Sequence, residues 1–179
     1  RLERLVDYSI QCQVSSSQIK EVTVGRFETS EQGQYLGHHI GSFQRGMERD
    51  ILRFLHGDGK DRHRFRQINS QVAHLVGRKL QAENFQGAVG IDAFIFRDSN
   101  GVLKIRPLVE VNPRLTMGRI AFEVGKYVHP KSYGRFLITS RKSIEWREIE
   151  RKAGRWASGT IPLTDSEQPI LAVLDLYQS

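Results

Sequence analysis

Residues 87–118, GAVGIDAFIFRDSNGVLKIRPLVEVNPRLTMG, constrain the fold of this chain more than any other stretch. Residues 88–96 are rich in β-branched and aromatic side chains, and residues 102–112 read as the return strand. Between them lies Asp98-Ser99-Asn100-Gly101, and an Asn-Gly pair favours the backbone conformations of a hairpin turn. Two antiparallel strands are therefore predicted. On the return strand Leu103, Ile105, Val109 and Val111 alternate with Lys104, Arg106, Glu110 and Asn112. Side chains alternate faces along a strand, so the first set is expected on a core and the second turned away from it. Asp92, on the first strand, shares parity with Phe94 and Phe96. Pro113 fixes its own backbone angle and biases Asn112 towards an extended conformation.

The polar residues at this strand end have a definite chemistry. Asp92, Glu110 and Asn112 offer hard oxygen donors. Mg²⁺ prefers such donors, and it usually takes one or two carboxylates while substrate phosphates complete its shell. Arg114 lies just beyond them, and its planar fork suits a phosphate. A polar strand end on a solvated sheet face presents the same residue types, so spacing leaves both readings open.

The same residues resemble the metal-binding end of the ATP-grasp superfamily, which includes D-alanine–D-alanine ligase, biotin carboxylase and carbamoyl phosphate synthetase. That pattern is an acidic residue on one strand, a turn, then Glu-x-Asn on the next, often followed by Pro-Arg. Here it reads Gly90-Ile91-Asp92-Ala93-Phe94 and Glu110-Val111-Asn112-Pro113-Arg114. The resemblance implies that Asp92, Glu110 and Asn112 hold Mg²⁺, with Mn²⁺ able to substitute. It also implies that Glu110, Asn112 and Arg114 bind ATP and that Arg114 acts catalytically on the transferred phosphate. Asp92 and Glu110 stand a few residues further apart than is usual in the family, and the extra length is expected around residues 100–107. The mechanism implied is attack of a substrate carboxylate on the γ-phosphate of ATP. An amine or similar nucleophile then displaces phosphate from the acyl phosphate.

Upstream, residues 2–14 alternate, with Val6, Tyr8, Ile10 and Cys12 on one face and Asp7, Ser9, Gln11 and Gln13 on the other. Residues 15–18 read as a turn and residues 19–28 as the antiparallel partner strand. Asp7, Ser9 and Gln11 read as the wet face of an edge strand, and the family resemblance makes that face a substrate surface. Residues 29–42 form a loop with three glycines, in which Gly33-Gln34-Tyr35-Leu36-Gly37 resembles a substrate loop of the family and marks Tyr35. His38 and His39 are adjacent and should point apart, which makes them poor joint metal ligands. Helical spacing covers residues 43–55 and 61–83, with Gly57 as cap of the first and Phe65, Ile68, Val72, Leu75, Val76 and Leu80 as the stripe of the second. His74 is expected beside that stripe. The Gly57-Asp58-Gly59 loop lacks the Lys-Ser/Thr that a phosphate loop needs.

Thr116 is a natural cap for a helix over residues 117–127. A strand at 136–139, a charged helix at 143–152, a linker at 154–159 and closing strands at 161–163 and 170–176 complete the reading. The strands pair as hairpins, so the fold class is α+β: an antiparallel β-sheet with helices packed on one side. The resemblance makes residues 1–128 an ATP-grasp C-terminal lobe, with residues 129–179 closing the sheet or forming an interface. Entry almost directly into a strand, with no starting Met, is expected of a piece that begins mid-domain, and the family's smaller lobe, which the resemblance calls for upstream, makes a C-terminal fragment the expectation. Its partner would be the missing N-terminal lobe of the same polypeptide, and the fragment alone is expected to be inactive.

Composition narrows the classes further. The chain has 179 residues, 39% hydrophobic and 26% charged, which suits a folded domain. No apolar run is long enough to cross a bilayer. A single cysteine, Cys12, and no leader-like start fit a reducing, cytoplasmic setting. The net charge is +7, but the basic residues scatter without interleaved aromatics, so nucleic acid is not the expected partner. The alternative to a ligase lobe is a non-catalytic ATP-grasp-like binding module that uses this basic surface for nucleic acid or a protein.

Overall fold

The computed structural model describes residues 3–30, 32–57 and 63–178. The predicted hairpin forms as β4 (Gly87–Arg97) and β5 (Leu103–Asn112). Asp98 builds its turn: one carboxylate oxygen accepts the N–H groups of Asn100 and Val102, both at 2.9 Å, while Gly101 takes a φ of 76°. The other strands are β1 (Glu3–Val14), β2 (Ile19–Thr29), β3 (Tyr35–Ile40), β6 (Ser132–Ser140), β7 (Glu150–Lys152), β8 (Arg155–Pro162) and β9 (Ile170–Gln178). The helices are α1 (Arg49–His56), α2 (Arg64–Ala82) and α3 (Met117–Gly125). The strand ladders are antiparallel, and the class is α+β as the hairpin pattern required. Among the described residues no helix is long and apolar enough to cross a membrane.

The chain divides into two compact units. The first takes the chain up to Gly25 together with Gln44–Thr116. Its strands run in the order β5-β4-β1-β2, so β1 is an interior strand and not the edge strand expected. Tyr8, Ile10, Cys12 and Val14 of β1 and Val89, Ile91 and Ile95 of β4 are buried. Burial and the nearby Glu21 push the Cys12 thiol up to about 12, as befits a packed core thiol. Helix α2 packs on this face. Tyr8 donates to Asn69 Oδ1 at 3.1 Å, and its ring centroid lies 5.3 Å from that of Phe65.

The α2 stripe differs from its prediction. Asn69, Ala73, Val76 and Gly77 are buried, whereas Leu75 is 53% exposed and His74 is exposed. Val76 is buried and Phe65 packs on Tyr8 as the stripe predicts, while Gly77 lets the helix approach closely, since a methyl there would sit 2.7 Å from Ile19 Cγ2. The helix closes on Asn84 at φ 59°, with Phe85 N–H bonded to the Leu80 carbonyl and Asn84 N–H to that of Gln81, both at 2.9 Å. Helix α1 is shorter than predicted, and Gly57 caps it at φ 62° with its N–H on Arg53 O at 2.9 Å. The Asp58-Gly59 part of the glycine loop, the predicted α2 start at Asp61, and Leu2 lie outside the described residues.

The second unit takes Arg26–Phe43 and the chain from Met117 onward. Its order is β2-β3-β6-β9-β8-β7. Ile40, Ala121, Val128, Phe136, Ile161, Leu174 and Leu176 form its core, with α3 supplying Ala121. His38 and His39 point apart as predicted. His38 is buried, and burial and His39 push its pKa down to about 4. His39 faces Glu28 at 3.0 Å.

Three expectations in this unit are overturned, the first being the loop predicted over residues 29–42, which contains β3. The charged helix predicted at residues 143–152 is a short 3-10 turn (Arg141–Ser143), an irregular segment and β7. Tertiary bonds override its helical composition: Thr160 donates to Glu145 O at 3.0 Å and to Arg147 O at 3.2 Å, and Arg147 donates to Leu176 O at 3.0 Å. Of the linker predicted at residues 154–159, all but Gly154 belongs to β8, which is reached from β7 by a turn with Ala153 at φ 48° and Gly154 at φ 75°.

Candidate metal and phosphate site

The site is set by register. In the first unit Ser9, Asp92 and Glu110 are direct partners across β1, β4 and β5, and so are Gln11, Gly90 and Asn112 one rung along. Directly paired residues share a face, so these side chains lie on the face opposite Tyr8 and Ile10. Asp7 is on the same face, paired with Phe94. Asp92 and Glu110 thus stand as two carboxylates directly opposite each other. Such like-charge pairs destabilise a sheet.

A bulge places Glu110 there. Pairing shifts between Asp92 and Phe94: one residue separates them on β4, whereas Arg106 and Glu110 are separated by three on β5. The two extra residues of β5 in this register fall within Pro107, Leu108 and Val109. Leu108 and Val109 are 39% and 48% exposed, which corrects the core position predicted for Val109. Bulges of this kind restore a register and re-aim side chains.

Beyond Asn112 the strand turns sharply at Pro113. Arg114 N–H bonds the Asn112 carbonyl at 2.8 Å, a γ-turn that brings the guanidinium back to Asn112 Oδ1 at 3.3 Å. Asn112 Nδ2 in turn donates to Asp92 Oδ2 at 3.3 Å. On the β1 side Thr116 Oγ1 donates to Gln11 Oε1 at 2.7 Å and Gln11 Nε2 donates to Ser9 Oγ at 2.8 Å, with Ser9 the direct cross-strand partner of Asp92. Ser9 and Gln11 are only 3% and 2% exposed, so the wet edge predicted for them is replaced by a buried network. Asp7 is held by Arg4, whose Nε lies 3.1 Å from Asp7 Oδ1.

Burial raises the pKa of Asp92 above the ordinary carboxylate value, with Glu110 and Asp7 adding to the rise and Ser9 and Arg114 opposing it. A folded-state pKa above the unfolded one means that the folded state binds more protons, so stability falls as pH rises through that range. Asp92→Asn removes this loss. Thermal melts should give Asp92→Asn little advantage over wild type at pH 3, where Asp92 is protonated in both states, and a clear gain in Tm at pH 7.5. An unchanged difference between the two pH values contradicts this.

The donor set fits Mg²⁺ in the way that substrate-bridging sites do. Among the described residues no three His, Cys, Asp or Glu side chains form an all-protein metal cage. Two opposed carboxylates and an amide oxygen are instead the partial shell that phosphates complete. Tyr35 belongs to the second unit, where its hydroxyl and His38 Nδ1 lie 2.8 Å apart. Thr116 and Gly90 border this network. Thr116 read as a helix cap, but an interior strand glycine such as Gly90 signals a close approach. A methyl there would lie 2.6 Å from Thr116 Cγ2.

No family model matches the chain, and no curated protein matches its sequence. Solved structures of ATP-grasp proteins are similar to it. Biotin carboxylase from Campylobacter jejuni, solved as a beta-gamma-ATP complex, is 14% identical and is matched over 100% of this chain and 43% of its own, at a TM-score of 0.46. L-amino acid ligase from Bacillus licheniformis is 10% identical over 99% of this chain and 50% of its own, at 0.43. N5-carboxyaminoimidazole synthetase from Staphylococcus aureus, complexed with ADP, is 14% identical over 97% and 47%, at 0.41. The chain spans half or less of the length of these structures.

Proposed function

We propose that this chain is the metal- and phosphate-holding lobe of an ATP-dependent ligase of the ATP-grasp kind, with residues 1–128 carrying the site. One observation carries the reading. The fold tolerates Asp92 directly opposite Glu110, with Asn112 one rung away and Arg114 turned back onto it. A pair that costs sheet stability is best accounted for by a cation that it serves. The acidic residue, Glu-x-Asn and Pro-Arg pattern of the sequence supports the same conclusion.

In this reading Asp92, Glu110 and Asn112 supply the oxygen donors, and Arg114 binds the phosphate to be transferred. A Mg²⁺ held there neutralises charge on the nucleotide's phosphates. The chain's own share is positioning and charge complementarity, which set the line of attack of a substrate carboxylate on the terminal phosphate. A second lobe, supplied by the rest of the polypeptide, completes the nucleotide site, and a carboxylate and an amine are the substrates. The buried Cys12 thiol suits a reducing, cytoplasmic setting.

The test is a Mn²⁺ titration of the isotope-labelled chain with a non-hydrolysable ATP analogue, followed by paramagnetic broadening in NMR spectra. Broadening should centre on Asp92, Glu110 and Asn112. Broadening centred elsewhere, or none at millimolar Mn²⁺, overturns the reading.

A further inference from the structure

The second unit has a polar sheet face with a partial roof. His39, Arg135, Asp175 and Thr160 are direct partners across β3, β6, β9 and β8. Their chain neighbours Ile40, Phe136, Leu174 and Ile161 belong to the core, so this rung faces away from it. The irregular segment after Ser143 crosses the same face. Thr160 Oγ1 holds the Glu145 carbonyl at 3.0 Å, and Arg147 reaches Asp175 and, at 3.0 Å, the Leu176 carbonyl. The Arg147 guanidinium also lies 4.0 Å over the Tyr177 ring. On the other side of the segment Arg141 pairs with Glu167 at 3.0 Å. Pinned on both sides, the segment leaves a cavity of about 230 Å³ between itself and the sheet.

We propose that this cavity binds a small zwitterion, an α-amino acid with an aliphatic side chain. It shares no residue with the proposed cation and phosphate site, since every residue that lines it belongs to the second unit. The proposal does not depend on the reading of that site.

Size, lining and charge select this class. Pockets for drug-sized ligands run to roughly 300–1,000 Å³, so this one suits a smaller molecule. Leu137 and Val173, direct partners across β6 and β9, and Ile144 of the segment give it apolar surface. Its charged lining is balanced: Arg135 and Arg147 stand with Asp175 and Glu145. A simple anion would meet two carboxylates, and a simple cation would meet two guanidinium groups. Asp175 is already engaged, with Oδ1 taking Arg147 and Oδ2 the Tyr177 hydroxyl at 2.9 Å. The Glu145 carboxylate makes no hydrogen bond or ion pair among the described residues. Arg135 gives Nη1 to Glu28 at 3.2 Å and keeps further N–H groups. An amino acid answers both, with its carboxylate on Arg135, its ammonium on Glu145 and its side chain over Leu137 and Val173.

The test is an NMR titration of the isotope-labelled 179-residue chain with L-leucine. At millimolar L-leucine the methyl resonances of Leu137, Ile144 and Val173 should shift and saturate. Isocaproate, which lacks the ammonium, and isoamylamine, which lacks the carboxylate, should not shift them. Arg135→Gln and Glu145→Gln should each raise the Kd for L-leucine roughly ten-fold or more, the scale of one hydrogen bond to a charged group. Both positions are exposed, and Glu145 meets Thr160 through its carbonyl, so the variants should keep the fold. No saturable shift with L-leucine, an equal shift with either analogue, or an unchanged Kd in either variant overturns the proposal. Mn²⁺ broadening at Asp92 and Glu110 is a separate readout, so this proposal and the ligase reading fail independently.

Discussion

Glu110→Ala is expected to abolish function while leaving the fold intact or slightly more stable. In the complete protein, formation of the activated carboxylate should fall roughly 10²–10³-fold, the scale on which a single preorganised electrostatic contact acts. In this chain, Mn²⁺ broadening at Asp92 and Asn112 should disappear. The stability forecast runs the other way. Glu110 faces Asp92 directly across the ladder, and a like charge so placed opposes pairing. Its removal relieves Asp92, whose pKa Glu110 helps to raise. A residue kept for structure would lower both activity and Tm. Unchanged ligation by the Glu110→Ala protein would remove Glu110 from the chemistry.

Gly134→Ala is expected to be the most damaging small change in the second unit. Gly134 pairs with Leu176 between β6 and β9, next to the core. A methyl there would lie 1.9 Å from the Asp175 carbonyl oxygen and 2.9 Å from Leu176 Cα. These are backbone atoms, so no rotamer change relieves the clash and the ladder must open. Overpacking costs of about 1–3 kcal/mol are typical where side chains can shift, and this site belongs at or above the top of that range. Amide exchange in β6 and β9 should accelerate sharply. Gly125→Ala is the control, because a methyl there meets only Ile40 Cδ1, at an ordinary 3.9 Å. Equal melting of the two variants would show that the strands separate without cost.

Much of the first unit was legible in the chain. Asn100-Gly101 and the flanking alternation placed β4, β5 and their turn, because turn chemistry and period-2 burial are local properties. The parity of Tyr8, Ile10 and Cys12 identified the core face of β1 for the same reason. What failed was decided at a distance. Leu75 fits the helical spacing of the α2 stripe yet is 53% exposed, because packing with Gly77 against Ile19 settles which residues of the helix meet the sheet. The segment after Ser143 has helical composition, yet bonds from Thr160 hold its carbonyls in an irregular course.

The candidate site shows the same division. Local order along the chain brings Asp92, Glu110, Asn112 and Arg114 to one strand end, since a hairpin and residue parity require nothing beyond neighbours in the chain. It could not determine that Asp92 faces Glu110. That depends on where three residues of β5 bulge, which is settled by the ladder with β4. Nor could it bring Thr116 to Gln11, because their bond joins parts of the chain that only the folded sheet sets side by side, in a hollow left by Gly90. Hydrophobic periodicity is written residue by residue, whereas hydrogen-bonded register and buried polar contact exist only once the strands are paired.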